Sequence, residues 1–586
     1  MCGIVGVISK DGAKDRVIEG LKKLEYRGYD SWGIALKNTE IKIFKDVGKI
    51  SEVESADLKI NSSIGIGHTR WATHGGVTKG NAHPHMDCSK NIAVVHNGII
   101  ENYQELKENL EKLGHKFISG TDTEVIPHLV EEYLKKEKDL FSAFRRALMD
   151  LKGNFTICLI SKNSDKILAA TNGCPLVLGI NDNEKFISSD ILTLQYAKEI
   201  SFLKDGTVIE IGKKIAIYDI KSGKEKKFVF QKNNFLSQKV TAGKYKYFLL
   251  KEIHEQPEII KKISLMDQKE IETNAALIRN SFGTFFVACG TSFHAGLVGE
   301  YLFAKNAKMH VNITSASEFS NFKYFLTDKT LLFPISQSGE TADVLDAVKV
   351  AKAKDSKILS LVNNPNSTLA RLSDVVMVTP AGPEIAVLST KAFTSQMAIL
   401  YLLAMAVAGD FAQGKKIIEQ ASLEMQKTFD EKYLQKLKKL ANKILKVNHI
   451  FTLGRGLNYS TALEAALKIK ESSYIHAEGF AGGDLKHGPI ALIEKGTPVI
   501  VFVAEDEVKN EILSNAMEVK SRGAFVIGVA PNDNPIFDEW LSVGDLPEIS
   551  PLLNIISAQL LSYYLTIGRG LNPDQPRNLA KSVTVK

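Results

Sequence analysis

Cysteine is scarce in this chain: Cys2, Cys88, Cys158, Cys174 and Cys289 are five in 586 residues, odd in number, widely scattered and without a CxxC pair. That usage excludes a disulfide framework and fits a reducing cytoplasm. Long apolar runs are missing too. The longest helix-like one, Met397 to Ala408, falls well short of the ~20 residues that span a bilayer, and no basic segment or Ala-x-Ala site opens the chain. No membrane partner is expected. Nor is a nucleic-acid partner, because a net charge of +7 spread over this length lacks the concentrated basic face such binding needs. Lys224 to Lys227 read as a solvated loop. No Gly-Lys-Ser/Thr nucleotide loop occurs anywhere. What remains is an ordinary globular composition, 44% hydrophobic and 24% charged, whose length predicts three or four domains at about 150 residues each.

The chain opens Met1-Cys2-Gly3-Ile4-Val5-Gly6. Trimming the initiator methionine leaves Cys2 with both a thiol and a free α-amine. That amine has a reference pKa of about 7.7 to 8.0, so near neutral pH it can take the thiol's proton. The apolar run Ile4 to Ile8 predicts a buried strand that holds this reactive end in place. A buried structural cysteine is the plain alternative, and the segments downstream decide against it.

Those segments are His68-Thr69-Arg70-Trp71-Ala72-Thr73-His74-Gly75, Asn81-Ala82-His83-Pro84-His85, Val95-His96-Asn97-Gly98 and Gly120-Thr121-Asp122-Thr123-Glu124. With Cys2 they match, in order, the motifs of the N-terminal-nucleophile glutaminases, the class II glutamine amidotransferases, which the first 220 or so residues resemble. The resemblance places Arg70, Trp71, Thr73, His74, His83 and Asp122 around glutamine. Arg70 suits the α-carboxylate and Asp122 the α-ammonium. The Asn97 amide and the Gly98 N–H suit the oxyanion formed as Cys2 attacks. A metal reading competes, since His74, His83, His85, Cys88 and His96 crowd together. Their spacings match no standard zinc pattern, so neither a metal nor a cofactor is expected.

Residues 1–220 alternate short β-rich runs with two helical stretches, about 103–112 and 124–136, which predicts stacked sheets with helices rather than a parallel array. The family resemblance makes this an αββα sandwich. Lysine- and asparagine-rich residues 221–246 read as a linker. Beyond it, strands that end in glycine and open a helix recur at Phe285 to Gly290 and Ile450 to Gly454. Strand and helix alternate in both copies, the pattern of two doubly wound αβα domains. We place these at 247–440, with leading helices, and 441–567, followed by a C-terminal tail at 568–586.

In the first copy, Cys289-Gly290-Thr291-Ser292 and Ser336-Gln337-Ser338-Gly339-Glu340-Thr341 both follow buried strands and enter helices. Hydroxyls and backbone N–H groups there favour an anion. With no lysine in either loop, a phosphomonoester is favoured over a nucleotide. Simple helix capping is the alternative for either loop alone. Both loops resemble sugar isomerase (SIS) domains. The matching run in the second copy, Ala504-Glu505-Asp506-Glu507, is acidic and hostile to phosphate, so one sugar-phosphate site per chain is expected. Glu464, Lys468 and Glu471 share a helix face at i, i+4 and i+7, a spacing that ordinarily means a solvated salt-bridge ladder. The C-terminal end, Asp574 to Lys586, ordinarily means a frayed tail.

Together these segments resemble one α/β multidomain family throughout, the isomerizing glutamine:fructose-6-phosphate aminotransferases. That resemblance implies glutamine and fructose 6-phosphate as substrates, a cytoplasmic homodimer, and Trp71 as the gate of an ammonia channel. It implies that Lys581 forms a Schiff base with the ketose, Glu471 moves a proton between C1 and C2, and His487 of the neighbouring subunit opens the ring. Thr291, Ser292, Ser336, Gln337, Ser338 and Thr341 match phosphate ligands, while Val387, Ser389 and Ala580 match other sugar contacts. Lys468 would assist Glu471. Trp32 and Pro383 depart from the family pattern at positions given no catalytic part. Two rivals stay open: another amidotransferase of the same glutaminase class, and a non-catalytic sugar-phosphate sensor.

Overall fold

Successive residues of the first strand, Gly3–Ser9, point to opposite faces, and both faces are buried. Ile4 enters a core shared with Ile66, Ala93, Val95, Cys158 and Ile160, whereas Val5 and Val7 meet Val17 and Leu21 of the helix Ala13–Leu24. The strand Ile92–Gly98 behaves likewise. Ala93 and Val95 enter the first core, while Ile92 and Val94 pack with Val125, Ile126 and Phe144 from two other helices. Two antiparallel sheets, of eight and seven strands, therefore lie face to face with helices outside each. This is the αββα sandwich.

The computed structural model describes residues 2–233 and 241–584. Met1, residues 234–240 of the expected linker and residues 585–586 of the expected tail lie outside them. The chain divides into two compact units, Met1–Lys239 with Ala580–Lys586, and Val240–Leu579.

The first unit differs from the sequence reading in three respects. Besides Tyr103–Lys112 and Val125–Leu134 it has the helices Ala13–Leu24 and Leu140–Asp150, the latter capped by the Asp139 side chain. The expected linker from 221 begins as part of the sandwich. Its strands Glu225–Lys226 and Gln231–Lys232 pair at the edges of the two sheets, and Phe228 and Phe230 pack against the core between the sheets. The expected tail also divides. Asp574 caps the helix Phe248–Ser264 through Phe248 N–H (2.9 Å) and Leu249 N–H (2.8 Å), and the Arg577 guanidinium sits 4.2 Å from the centre of the Tyr474 ring, which holds this stretch in the second unit. From Ala580 onward the chain belongs to the first unit.

The second unit holds two five-stranded parallel sheets of one topology. In the first the spatial order is Asn312–Ser315, Gly283–Ala288, Thr330–Ser336, Lys357–Val362, Val375–Val378. The second repeats it with His476–Ala481, His449–Gly454, Pro498–Phe502, Phe525–Ala530 and Glu539–Ser542. In each, the chain moves to one side of the first strand and then to the other, which opens a crevice at the strands' carboxyl ends. One hydrophobic core joins the two copies. Its centre includes the helix Lys391–Ala408, which is longer than the apolar run read from the sequence. The 18 residues have a mean hydropathy of 1.4 and would pass for a membrane span by length and composition, but 89% of them are buried inside the protein.

Candidate active site

Cys2 stands where the first strand begins, and its neighbours are fixed by sheet register. Gly3 pairs with Thr69 and Ile4 with His68, so the end of the strand Ile64–Arg70 delivers Trp71 to the thiol. Trp71 N–H donates to Cys2 Sγ at 3.3 Å, and the thiol donates to Trp71 O at 3.4 Å. Burial pushes the thiol's pKa up, opposed by the Trp71 amide and by Arg70. The strand end cannot drift. Ile4 N–H donates to Ser189 Oγ (3.0 Å), and Ser188 Oγ donates to Ile4 O (2.9 Å).

Asn97 and Gly98 arrive on the strand Ile92–Gly98. Asn97 Nδ2 donates to the Cys2 carbonyl at 3.2 Å, and its Oδ1 lies 3.1 Å from His68 Nε2. Burial first, then Arg70, hold His68 well below its ordinary pKa and hence neutral. Its Nε2 therefore carries the proton that fixes the Asn97 amide with its NH2 toward Cys2. His68 is a positioning residue that the sequence reading quoted in its motif but gave no role. Gly98 has φ +123°, and a Cβ there would lie 2.0 Å from Asn154 O. No other residue fits.

Arg70, Trp71, Thr73, His74, His83, His96, Gly98 and Asp122 line one pocket with Cys2. The Arg70 guanidinium is held by the carbonyls of Gly75 (2.9 Å), Gly76 (3.2 Å) and His74. Asp122 is buried and accepts from Ile100 N–H at 2.8 Å. The crowded histidines separate by location. His83 stacks on His68 with ring centroids 4.1 Å apart, and His83 and His96 both meet Thr123 Oγ1, at 3.2 and 2.9 Å. Burial depresses the pKa of His83 and of His96, and that of His85 to about 3. Cys88 leaves this group altogether and faces His115 and His128 instead.

In the second unit, the loops after Gly283–Ala288 and Thr330–Ser336 adjoin, because those strands are paired. Thr291 and Ser292 lie in the first turn of the helix Gly290–Leu302, and Thr341 precedes the helix Ala342–Lys352. Ser336 Oγ accepts from Gly339 N–H (3.0 Å) and Ser338 Oγ from Glu340 N–H (3.1 Å), so the chain from Ser336 past Gln337 to Glu340 wraps tightly. Two helix N-termini with hydroxyls suit a phosphate. Gly339 has φ +65°, and a Cβ there would meet Ser367 Oγ at 2.1 Å. Gly339→Ala is expected to weaken sugar-phosphate binding by about tenfold or more through this forced opening of the loop, measured by calorimetry, with glutamine hydrolysis intact.

Thr291 also reaches the second copy. Its Oγ1 donates to Glu464 Oε1 (3.0 Å) and accepts from Lys468 Nζ (3.0 Å). Lys468 Nζ lies 3.2 Å from Glu464 and 2.8 Å from Glu471. The solvated ladder that spacing predicts is in fact buried: side-chain exposure is 0% for Glu464 and 1% for Lys468, with 22% for Glu471. Burial alone would lower the pKa of Lys468, but the carboxylates of Glu464 and Glu471 outweigh it and hold the pKa above its ordinary value. His294, absent from the sequence reading, places Nδ1 2.6 Å from Glu464 Oε2. The loop before Lys391 is organised by Glu384, which accepts from Ser389 Oγ (2.9 Å), Thr390 N–H (2.9 Å) and Ala392 N–H (3.1 Å). Val387 N–H donates to Asp574 O at 3.0 Å. His487 ends an exposed turn, Asp484–His487. Ala580 and Lys581 fall in the first unit. Trp32 packs half-buried against the helix-side core, and Pro383 is exposed.

A family model described as the glutamine amidotransferase domain matches residues 68–195, and the SIS domain model matches residues 277–406 and again 443–569. The chain is 43% identical over 603 residues to the glutamine–fructose-6-phosphate aminotransferase [isomerizing] of Methanothermobacter thermautotrophicus, covering 100% of both chains. It is likewise 43% identical over 612 residues to that of Clostridium tetani, again covering 100% of both. Among solved structures, the C-terminal domain of glucosamine-fructose-6-phosphate aminotransferase from Francisella tularensis matches 57% of this chain and 100% of its own, with a TM-score of 0.54 and 34% identity. From the thiol beside Trp71 to the paired SIS copies, the chain belongs to the glutamine–fructose-6-phosphate aminotransferase (isomerizing) family.

Proposed function

We propose that this chain transfers the amide nitrogen of glutamine to fructose 6-phosphate and isomerises the product, releasing glucosamine 6-phosphate and glutamate. The observation that carries this reading is one chain holding both a strand-end thiol bonded to Trp71 N–H, with the Asn97 amide at the same residue's carbonyl, and a buried carboxylate–lysine–carboxylate ladder beside a hydroxyl-lined phosphate loop. A sugar-phosphate sensor has no use for the first. Another amidotransferase has no use for the second.

Cys2, with its α-amine as base, attacks the side-chain carbonyl of glutamine. Asn97 Nδ2 and Gly98 N–H stabilise the oxyanion, each donor contributing about 3 to 4 kcal/mol to the transition state. Arg70 and Asp122 hold the α-carboxylate and α-ammonium, while Trp71, Thr73, His74 and His83 shape the pocket. Ammonia leaves, and water hydrolyses the γ-glutamyl thioester to glutamate. In the SIS half, Thr291, Ser292, Ser336, Gln337, Ser338 and Thr341 bind the phosphate, and Val387, Ser389 and Ala580 contact the sugar. His487 of a second copy opens the ring in a cytoplasmic homodimer. Lys581 condenses with the C2 carbonyl and releases water; ammonia then displaces the lysine to leave a C2 imine. Glu471, held beside Lys468, takes a proton from C1 and returns one to C2, which yields the 2-amino aldose.

Incubation with both substrates and assay for a hexosamine phosphate tests the reading, with glutamate and no amino sugar as the result against it. The Schiff base has its own test. Borohydride added with fructose 6-phosphate is expected to attach the sugar to the C-terminal peptide at Lys581; attachment at Lys468 or Lys391 would move the nucleophile elsewhere.

A further inference from the structure

The thiol that departs from the glutamine pocket has its own company. Cys88 follows the short strand His85–Met86; His115 follows the helix Tyr103–Lys112; His128 and Glu131 lie one turn apart on the helix Val125–Leu134. Cys88 Sγ is 3.8 Å from His115 Nδ1 and 3.5 Å from His128 Nδ1. Glu131 Oε2 is 3.2 Å from His115 Nδ1 and 3.7 Å from His128 Nδ1. All four ligand atoms lie within 4.8 Å of one another. A tetrahedral zinc with ordinary Zn–S, Zn–N and Zn–O bonds has ligand-to-ligand edges of about 3.3 to 3.6 Å, which these separations bracket.

The far side of each imidazole points the same way. His115 Nε2 lies 3.2 Å from Glu132 Oε2 and His128 Nε2 lies 3.7 Å from Glu124 Oε1. A carboxylate beside the far nitrogen is the usual outer support of a metal-bound imidazole; it is within hydrogen-bond reach for His115 and beyond it for His128. Two ring nitrogens, a carboxylate oxygen and a sulfur thus face one another, a donor set that one cation can hold together. Lys116 N–H donates to the sulfur at 3.4 Å, which helps to fix its position. Glu131 is locked by Cys88 N–H and Ser89 N–H, each at 3.0 Å.

We propose that Cys88 Sγ, His115 Nδ1, His128 Nδ1 and Glu131 Oε2 form a tetrahedral Zn²⁺ site in the glutaminase unit. One thiolate, two imidazoles and one carboxylate suit zinc over the hard cations magnesium and calcium. Four protein ligands close the coordination sphere, so the ion is structural rather than catalytic. Cys88 is exposed and gives the metal an entry path. The site ties the start of the helix Val125–Leu134, which directly follows Asp122, Thr123 and Glu124, to two surrounding loops. Asp122 and Thr123 line the pocket that contains Cys2, so zinc loss is expected to slacken that wall.

The test uses the full-length chain without an affinity tag, passed over a chelating resin and analysed for metals by plasma mass spectrometry. About one zinc per chain is expected, falling at least fivefold in Cys88→Ser and in His128→Gln. Replacement by Co²⁺ in the unmodified chain should produce the intense visible bands of a tetrahedral site and a thiolate-to-cobalt charge-transfer band, which stands even where a variant fails to fold. Removing the metal should make one further thiol reactive, and the labelled peptide should contain Cys88. A chain that neither carries zinc nor takes up Zn²⁺ or Co²⁺ overturns the proposal, leaving a histidine–carboxylate cluster that only ties the loops together. Full zinc content in Cys88→Ser, or a cobalt spectrum without the thiolate band, overturns it equally.

Discussion

Cys2→Ala is expected to lower glutamine hydrolysis by about 10³-fold or more, because the thiol forms the only bond that divides the reaction into two easier steps. Fructose 6-phosphate binding should be unchanged, since the ladder and phosphate loop are built entirely within Val240–Leu579. Extending the N-terminus by a few residues should cause a comparable loss with the thiol still present. The α-amine is then an amide and can no longer accept the proton. Glutamate release and calorimetric sugar-phosphate binding, measured side by side on both variants, check this. Full glutaminase activity in the extended chain would show that another group deprotonates Cys2.

Glu471→Gln is expected to separate the half-reactions. A positioned acid–base group typically contributes about 10² to 10⁴ in rate, so glucosamine 6-phosphate formation should fall by that factor while glutamine hydrolysis and sugar binding persist. The substitution keeps the side chain's shape but removes one of the two carboxylates facing Lys468. The remaining partner, Glu464, is fully buried and also bonded to His294 and Thr291, so Lys468 keeps a counter-charge and the helix should stay folded. Product formation within a few-fold of the unmodified chain would return the ladder to a structural role and make His487 the next candidate.

Which features could be read from residues alone follows from how local their physics is. The parallel SIS sheets announce themselves as repeated apolar runs ending in glycine. The glutamine pocket rests on motifs whose members lie close along the chain. Helix Ala13–Leu24 carried a signal that went unused, the apolar spacing of Ala13, Val17, Leu21 and Leu24. Phe228 and Phe230, half-buried against the core between the sheets, sit in a lysine-rich stretch whose composition reads as linker. What no local pattern contains is the partner across the fold. His294 meets Glu464 over 170 positions, and the His68 bond to Asn97 joins two strands of different sheets. Burial had the same effect on the Glu464, Lys468 and Glu471 spacing. A solvated ladder and a buried ion triad share one helical period, and only packing distinguishes them. Cys88 is the clearest case, since sequence proximity groups it with His83, His85 and His96, whereas the fold sends it to His115 and His128.

The central claim is that one chain carries nitrogen from a carboxamide to a ketose. Glutamine labelled with ¹⁵N in its side-chain amide, incubated with fructose 6-phosphate and the unmodified protein, tests it most directly by mass spectrometry of the sugar product. Glucosamine 6-phosphate bearing ¹⁵N at C2, formed in step with glutamate, is the expected product. Glutamate and free labelled ammonia without any labelled amino sugar would contradict it.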